Sequence, residues 1–230
     1  MLPRTFYLSC EYSNLVKDMV NPVLEAIRNR RSSIRFKSTP IEKEKLNAVL
    51  EAGRWAPSWA NTQPWRFIVV EDEQIKEMIS NTVPTFFNAG IKDAPICIAV
   101  CVNPKKDSFH FIEDGTTATQ NMALCAQSIG LSTSWIGVLS LPNEKNSTER
   151  KLKRILKIPK EWRLISILPL GISKFKTTKT RKDLSELVDL DYFMAREKPK
   201  MQYEAKQKSI VEPQKTREPT SARELEPALV

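Results

Sequence analysis

The longest apolar run of the chain, residues 94–102, constrains the fold more than any other stretch. It is rich in β-branched residues and too short for a membrane helix, which needs roughly 20 apolar residues. An uninterrupted apolar run of this length is typical of a buried strand. We therefore predict a central strand over residues 95–102, which other elements of the fold must cover.

Helices and further strands are predicted on both sides of this strand along the chain. Asn21-Pro22 and Thr39-Pro40 each combine an N-cap residue with proline at the first helical position. Apolar residues recur at helical spacing over residues 111–129, and Gly130 follows as a C-cap. The other predicted elements are strands over residues 66–70, 134–138 and 162–170, and helices over residues 72–81 and from residue 146 to before Pro159. Strands separated by helices, without hairpin signals, favour an α/β (α+β) layered domain.

The two ends of the chain differ from its middle. A length of 230 residues suits one domain with a tail. Residues 1–20 are expected to be an N-terminal extension, either packed on the body or produced by an upstream start codon, because they lack the apolar core of a signal peptide. Residues 191–230 carry many charges, four prolines and few large apolar side chains, and such a segment cannot offset its ordering entropy by burial. We predict a folded domain over residues 21–190 and a charged, mobile tail.

The charge balance favours an anionic small molecule as ligand. The formal net charge is +9 and the pI is about 9.4, and a basic balance attracts either nucleic acid or anionic small molecules. The lysines are scattered, and no zinc-finger, RNA-recognition or helix-turn-helix signature is present. We therefore expect no nucleic-acid partner, although binding through the basic surface stays open as an alternative.

Cysteine and histidine usage indicates a reducing compartment and no metal site. None of the cysteines (Cys10, Cys97, Cys101 and Cys125) forms a Cys-x-x-Cys pair. The spacing of Cys97 and Cys101 puts both on one face of the predicted strand, as expected of buried thiols. We interpret them as free thiols of a cytoplasmic protein. The single histidine, His110, would leave a metal without partners.

Two stretches concentrate groups that could bind a ligand. Residues 28–37 hold four arginines, one lysine and two serines, and forked guanidinium donors with short hydroxyls match phosphate oxygens. Taken alone, such a block is more often a solvated basic turn. Residues 56–65 hold two tryptophans and two side-chain amides, in a predicted loop where large aromatic side chains are unusual.

Together these stretches resemble the nitroreductase family of FMN-dependent oxidoreductases. The resemblance pairs Arg-Arg-Ser-x-x-Arg with Pro-Ser-Trp-x-Asn-Thr-Gln-Pro-Trp, and three later features follow in the family's order, at residues 130–137, 168–171 and 180–182. It covers roughly residues 21–190. It implies a central mixed sheet flanked by helices, and an intertwined homodimer in which the helix predicted over residues 111–129 forms much of the interface.

The glycines favour FMN over a dinucleotide cofactor. A dinucleotide-binding fold shows Gly-x-Gly-x-x-Gly after an early strand, and the six glycines of this chain contain no such cluster. FMN is a mononucleotide whose terminal phosphate can be held by a few cationic side chains. If a flavin is bound, the sequence therefore predicts FMN.

The resemblance assigns the basic residues to the cofactor. Arg31 and Ser32 match positions that bind the FMN phosphate, and Arg181 matches a late phosphate contact. Arg30 matches a residue that reaches the ribityl and pyrimidine end of the flavin, where a cation stabilises the anionic reduced ring. The family's last basic position falls on Ile34, so Arg35, one residue later, either regains the contact through a bulge or loses it.

The resemblance places the flavin ring between a loop and a strand end. Amides in the loop suit the flavin edge because each can donate and accept, and two of the loop residues, Pro57 and Ser58, tend to approach from the other subunit. Backbone N–H groups at the strand end can bond flavin N5 or O4. Asp114 aligns with a polar residue of the pocket. The implied flavin contacts are Pro57, Ser58, Asn61 and Gln63 in the loop, and Trp135, Ile136 and Gly137 at the strand end.

The implied activity is hydride transfer from NADH or NADPH to flavin N5, followed by electron transfer to a small organic acceptor of the nitroaromatic or quinone type in a ping-pong mechanism. No catalytic acid or base side chain is required. The sequence decides neither the nicotinamide nor the acceptor. Alternatives are a flavin-fragmenting or dehalogenating relative in the same fold, and a flavin- or nucleotide-binding regulatory module without turnover.

Overall fold

The computed structural model describes residues 21–140, 146–175 and 177–193. The predicted N-terminal extension and almost all of the predicted tail lie outside these residues. The chain divides into two compact units, Met1–Glu186 and Leu187–Val230. Everything below concerns the first unit, which contains every helix and strand that the structure describes.

The central sheet has five strands within the described residues: β1 Trp65–Val70, β2 Ile96–Val102, β3 Ser132–Thr133, β4 Ile136–Gly137 and β5 Arg163–Gly171. Their order is β1-β2-β5-β3, and β4 also pairs with β5. All of these ladders are antiparallel. Over the part of the chain that the structure describes, the sheet is mixed only through an isolated parallel bridge between Ser32 and Thr133.

Six α-helices accompany the sheet in the described residues: α1 Pro22–Asn29, α2 Lys43–Arg54, α3 Glu73–Ser80, α4 Thr85–Asp93, α5 Phe111–Ser128 and α6 Thr148–Ile155. The predicted α/β (α+β) class is confirmed, and so are the long helix and the central strand. No described helix is both long and apolar enough to cross a bilayer.

Both faces of β2 are covered, and all seven of its residues are buried. Cys97, Ala99 and Cys101 lie in one apolar cluster with residues of α3, α4 and α6. Ile96, Ile98 and Val100 lie in a second cluster with residues of α2 and α5. The predicted burial of both cysteines on one face is confirmed. Burial raises the pKa of the Cys97 and Cys101 thiols to about 12, which keeps both protonated.

Two helix predictions fared differently. Asn21 caps α1 as predicted, because its Oδ1 accepts from the backbone N–H groups of Val23 and Leu24 at 3.0 and 3.1 Å. The prediction that Thr39-Pro40 starts a helix is wrong, since α2 begins at Lys43. The chain before α2 is still extended beside the segment that follows β5, where the N–H of Lys37 donates to the carbonyl of Ile172 at 2.8 Å.

Two other parts of the sequence prediction need correction. The single strand predicted over residues 134–138 is two short strands, β3 and β4, separated by Ser134 and Trp135. Helix α4 was not predicted at all, because Pro84 and Gly90 weaken its local signal. Tertiary packing requires that glycine, since a Cβ at Gly90 would lie 3.1 Å from the carbonyl oxygen of Ile34.

Candidate active site

The basic block is fixed to the end of the sheet. Arg30 is the extended C-cap of α1, and its N–H donates to the carbonyl of Ala26. Ser32 then bridges Thr133 of β3, and the N–H of Ser33 donates to the Thr133 carbonyl at 3.0 Å. Because backbone contacts hold the block, the side chains of Arg30, Arg31 and Ser32 have defined places relative to the sheet.

The segment after β5 runs beside the same block. Ser173 pairs with Phe36 in an antiparallel bridge, and its Oγ lies 2.8 Å from the Oγ of Ser33. The N–H of Lys174 donates to the carbonyl of Arg35 at 3.0 Å. These contacts direct the late segment of the first unit back to the residues that follow α1.

A cavity of about 240 Å³ forms where the two segments meet. Arginines from both segments line it, together with hydroxyl groups and one lysine. Its lining residues are Arg30, Arg31, Ser32, Thr177, Lys179 and Arg181. The structure therefore brings four residues assigned to the cofactor by the sequence, Arg30, Arg31, Ser32 and Arg181, around one space.

Positive charge in this cavity is not neutralised by the side chains that the structure describes. The pKa of Arg30 lies below its usual value, first because of burial and then because of the positive charges of Arg31 and Arg181. The described ion pairs of the first unit use other cations. A cluster of like charges of this kind favours the binding of an anion.

Arg31 also carries an unused donor. Its Nη1 donates to the carbonyls of Arg28 and Arg30 at 2.5 and 2.8 Å. Its Nε is buried and has no hydrogen-bond partner among the described residues. Leaving a buried donor unsatisfied costs roughly 1–3 kcal/mol, and a phosphate oxygen in the cavity would remove that penalty.

Arg35 does not line the cavity. Its Nε donates to Oδ2 of Asp93 at 2.7 Å, and Lys174 reaches the same oxygen at 3.2 Å. Burial by itself would raise the pKa of Asp93, but the hydrogen bonds from Arg35 and Lys174 outweigh it and hold that pKa below its usual value. Of the two outcomes left open for Arg35, the geometry favours loss of the cofactor contact.

The loop that carries the predicted flavin contacts has an unusual backbone. It contains the 3₁₀ turn Trp59–Asn61, and Ala60, Asn61 and Gln63 have left-handed φ values of 45°, 56° and 46°. Such conformations cost about 1–2 kcal/mol for an ordinary L-residue, although Asn tolerates them better. Strain of this size persists only where surrounding contacts impose it.

Internal hydrogen bonds shape this loop. The N–H of Gln63 donates to Oγ of Ser58 at 3.0 Å, and Nε2 of Gln63 donates to Oδ1 of Asn61 at 3.1 Å. Gln63 is therefore bonded to Ser58 through its backbone N–H and to Asn61 through its side-chain amide. Their amide and hydroxyl groups keep further donors and acceptors for a ligand.

Helix α5 anchors the loop from outside. The N–H of Trp59 donates to Oδ1 of Asp114 at 3.0 Å, and Oγ1 of Thr117 donates to the carbonyl of Pro57 at 3.1 Å. Asp114 is buried, and its Oδ2 has no hydrogen-bond partner among the described residues. Burial raises the pKa of Asp114, and the hydrogen bond from Trp59 only partly opposes that effect.

The strand end at β4 offers backbone groups beside open space. Gly137 is exposed, and a Cβ added to it would meet no heavy atom within 4 Å. Ile136 points into the core with 1 % of its surface exposed, so that only its backbone could reach a ligand. Trp135 is half-buried. None of these residues, and none from the loop, is among those that line the arginine cavity.

Thr177 and Lys179 line the cavity but were not among the predicted site residues. The run Thr-Thr-Lys-Thr-Arg at residues 177–181 mixes hydroxyls with cations, as the first basic block does, and that composition was the available signal. In the part of the chain that the structure describes, no group of His, Cys, Asp and Glu side chains is arranged to hold a metal ion.

Comparisons with known proteins identify the family. The nitroreductase family profile matches residues 27–85 and 82–172. A Methanothermobacter thermautotrophicus protein, provisionally named NADH dehydrogenase/NAD(P)H nitroreductase, is 33% identical over 151 residues, covering 65% of this chain and 76% of that protein. The chain therefore belongs to the nitroreductase family.

Solved structures agree with this assignment. An FMN-dependent nitroreductase from Clostridium difficile superposes with a TM-score of 0.66 at 28% identity, over 74% of this chain and 99% of that one. A protein from Desulfovibrio desulfuricans, provisionally named a nitroreductase and solved in complex with FMN, superposes with a TM-score of 0.65 at 26% identity, over 76% of this chain and 100% of that one.

Proposed function

We propose that this protein is an NAD(P)H-dependent oxidoreductase whose cofactor is FMN. The observation that carries the proposal is the convergence of Arg30, Arg31 and Arg181 on one cavity, in a chain that belongs to the nitroreductase family. A dianionic terminal phosphate fits this cavity, because the cations lack carboxylate partners among the described side chains and Arg31 Nε lacks any described acceptor.

The phosphate and the flavin ring would occupy different ends of one edge of the sheet. Thr133, which bridges Ser32, pairs with Leu170 of β5, and Gly137 pairs with Ser166. Four residues of a strand span about 13 Å. This separation suits a mononucleotide whose phosphate lies among the arginines and whose ring lies against the open backbone edge at Gly137.

The residues of the chain would act by binding and orientation rather than by acid–base chemistry. FMN, when bound, supplies the chemistry, accepting hydride at N5 and passing electrons to an acceptor. Gly137 leaves the ring edge accessible, and the amides of Asn61 and Gln63 supply hydrogen bonds to a ring. Arg30 lines the arginine cavity, so its positive charge would act at the phosphate end of the cofactor.

The substrates share one open face in this proposal. NADH or NADPH would bind first and leave, and a small organic acceptor of the nitroaromatic or quinone type would follow, which gives ping-pong kinetics. Because hydride transfer at flavin N5 requires no acid or base side chain, positioning is the main contribution of the protein.

We further propose that the active form is a homodimer. Three apolar side chains of α1 and α5, Val23, Ile27 and Ile112, are exposed in the single chain. A second copy covering them would bring its own Pro57 and Ser58 near the cofactor, as in the family. The free buried thiols Cys97 and Cys101 support a reducing, cytoplasmic location.

An anaerobic titration tests the proposed activity. The purified protein is loaded with FMN, freed of excess flavin, and mixed with NADH or NADPH while flavin absorbance is recorded. Rapid bleaching by at least one nicotinamide, followed by reoxidation with a quinone, is the expected result. Flavin binding without bleaching would favour a regulatory module, and failure to bind FMN would overturn the proposal.

A further inference from the structure

The single histidine of the chain stacks on the loop that carries Ser58, Asn61 and Gln63. The ring centroids of Trp59 and His110 are 4.5 Å apart and their planes differ by 24°. Trp59 lies inside the strained 3₁₀ turn. The stacking covers part of a residue that still has 59% of its surface exposed. The imidazole therefore fixes a side chain at the centre of the loop.

Asp107 orients this imidazole. Its Oδ1 accepts from the backbone N–H groups of Phe109 and His110 at 2.9 and 3.0 Å, which fixes the carboxylate. Its Oδ2 lies 3.5 Å from Nδ1 of His110. Both of these atoms are buried, and neither has a hydrogen-bond partner among the described residues.

A proton on Nδ1 of His110 would give both that nitrogen and Oδ2 of Asp107 a polar partner. At 3.5 Å an Nδ1–H group would make a long, weak polar contact with the carboxylate of Asp107. This contact favours a proton on Nδ1, the ring nitrogen that faces Asp107. It also holds the imidazole plane within 24° of the plane of the Trp59 ring.

Two further carboxylates lie in the first turn of α5, and one of them binds the loop. Asp114 lies one helical turn further along α5 and binds the N–H of Trp59, and Glu113 adds a third carboxylate to the same turn of the helix. Trp59 is thus held at its backbone by Asp114 and at its ring by His110. The backbone contact sets where the turn lies, and the ring contact sets how it is rotated.

We propose that His110, oriented by Asp107, is a positioning residue that holds the strained loop of residues 57–63 in the conformation that presents Ser58, Asn61 and Gln63 to the flavin. The inference rests on the proposed function. It assigns His110 no proton transfer and no contact with the cofactor. Its effect passes through Trp59.

The stacking itself can be tested without any flavin. Because the chain has one histidine, its imidazole proton resonances in the NMR spectrum are assigned without ambiguity. An imidazole stacked on an indole is shifted upfield by the ring current, and Trp59→Leu should remove that shift. An unshifted resonance in the wild type, or one that Trp59→Leu leaves in place, would overturn the proposal.

The functional consequence is measured in three variants. His110→Ala removes the stacking, and His110→Phe keeps an aromatic ring without the contact to Asp107. Asp107→Asn keeps the acceptor for the two backbone N–H groups and removes the negative charge. The fold should survive in each, because the His110 side chain makes no capping hydrogen bond to α5. Lys106→Ala, an exposed change in the same segment, is the control.

We expect His110→Ala to weaken FMN and riboflavin binding equally, by about 3- to 10-fold, because an aromatic pair usually contributes a free energy of that size. In His110→Phe most of the lost flavin affinity should return. The affinity of Asp107→Asn should lie between those of His110→Ala and His110→Phe. Wild-type affinity for both flavins in His110→Ala would overturn this inference alone. A wild type that binds no flavin would instead overturn the proposed function, and the role of the loop with it.

Discussion

Arg31 and Arg181 lie at opposite ends of the first unit's sequence and line the same cavity. The backbone pairing of the first basic block with β3, and of the segment after β5 with that block, brings them together. The cavity is therefore a product of the sheet topology rather than of one local motif. It explains why two short cationic stretches, each unremarkable alone, can form one anion site.

Replacing an arginine of the cavity should weaken FMN binding selectively. Arg181→Ala removes one charged donor, and hydrogen bonds to charged groups contribute about 1.5–3 kcal/mol. We expect the Kd for FMN to rise roughly 10- to 100-fold with an unchanged melting temperature of the apoprotein, measured by flavin fluorescence and by circular dichroism. Lys182→Ala, next to it but outside the cavity lining, should leave the Kd as it was; equal losses in both variants would show a general charge effect.

Substitutions at Gly137 and at Gly115 should affect different properties, the first FMN binding and the second the stability of the fold. A side chain at Gly137 meets open space, whereas a Cβ at Gly115 would lie 2.6 Å from Cγ1 of Ile165 and 2.9 Å from Cγ1 of Val102. Gly137→Val should therefore fold normally but weaken FMN binding by filling the place of the ring. Gly115→Val should lose about 1–3 kcal/mol of unfolding free energy through overpacking. Normal FMN affinity in Gly137→Val would place the ring elsewhere.

Asp114 should make stability depend on pH in a defined direction. Its folded pKa is raised, so the folded state binds a proton that the unfolded state has released. Its contribution to stability therefore increases as pH falls from above the raised pKa towards the unfolded value of about 3.9. Urea unfolding at pH 4, 5, 6 and 7 should show wild type gaining stability relative to Asp114→Asn towards the acid end. A difference that stays constant over this range would show that the buried carboxyl is not perturbed.

The Glu149–Arg163 pair should make stability depend on pH in the opposite direction. Glu149 is buried and accepts from Arg163 Nε at 2.7 Å, from the N–H of Ser140 and from the N–H of Leu164. Burial alone would raise the pKa of Glu149, but these hydrogen bonds, that of Arg163 foremost, hold it below its usual value. The pair's contribution is thus complete above the unfolded pKa of about 4.3 and is lost as pH falls through the lower folded pKa.

Removing that charge should be costly. Glu149→Gln leaves Arg163 without its partner, and breaking a buried pair in this way costs about 3–5 kcal/mol. The exposed Glu161→Gln is the matched control and should change unfolding free energy by no more than about 0.5 kcal/mol. Chemical denaturation at pH 7 measures both, and similar values for the two variants would contradict a buried pair.

Much of the fold followed from local patterns because those patterns agree with the tertiary structure. The apolar run became β2, and Asn21 capped α1 as its position predicted. Helix α4 was missed because its packing partner is distant in the sequence. Gly90 of this helix allows a close approach to the backbone of Ile34. Likewise, Thr39-Pro40 shows a helix-start signal, but pairing with the segment after β5 keeps the preceding residues extended.

The candidate site was predictable in its residue types but not in its partners. The motif order nominated Arg31 and Arg181, and the structure supplied the shared cavity. No pattern in the sequence shows that Asp93 pairs with Arg35, or that Lys179 lines the cavity, because both depend on how distant segments meet. No sequence pattern assigned a role to His110 for the same reason, since its stacking partner Trp59 lies far away in the sequence.

The most direct test of the central claim compares two ligands that differ only in a phosphate. The equilibrium Kd of the wild-type apoprotein is measured for FMN and for riboflavin under identical salt conditions. If the arginine cavity holds the terminal phosphate, FMN should bind at least about 100-fold more tightly, since two or more charge-assisted hydrogen bonds distinguish the ligands. Equal affinities for FMN and riboflavin would contradict the assignment of Arg30, Arg31 and Arg181 to the phosphate.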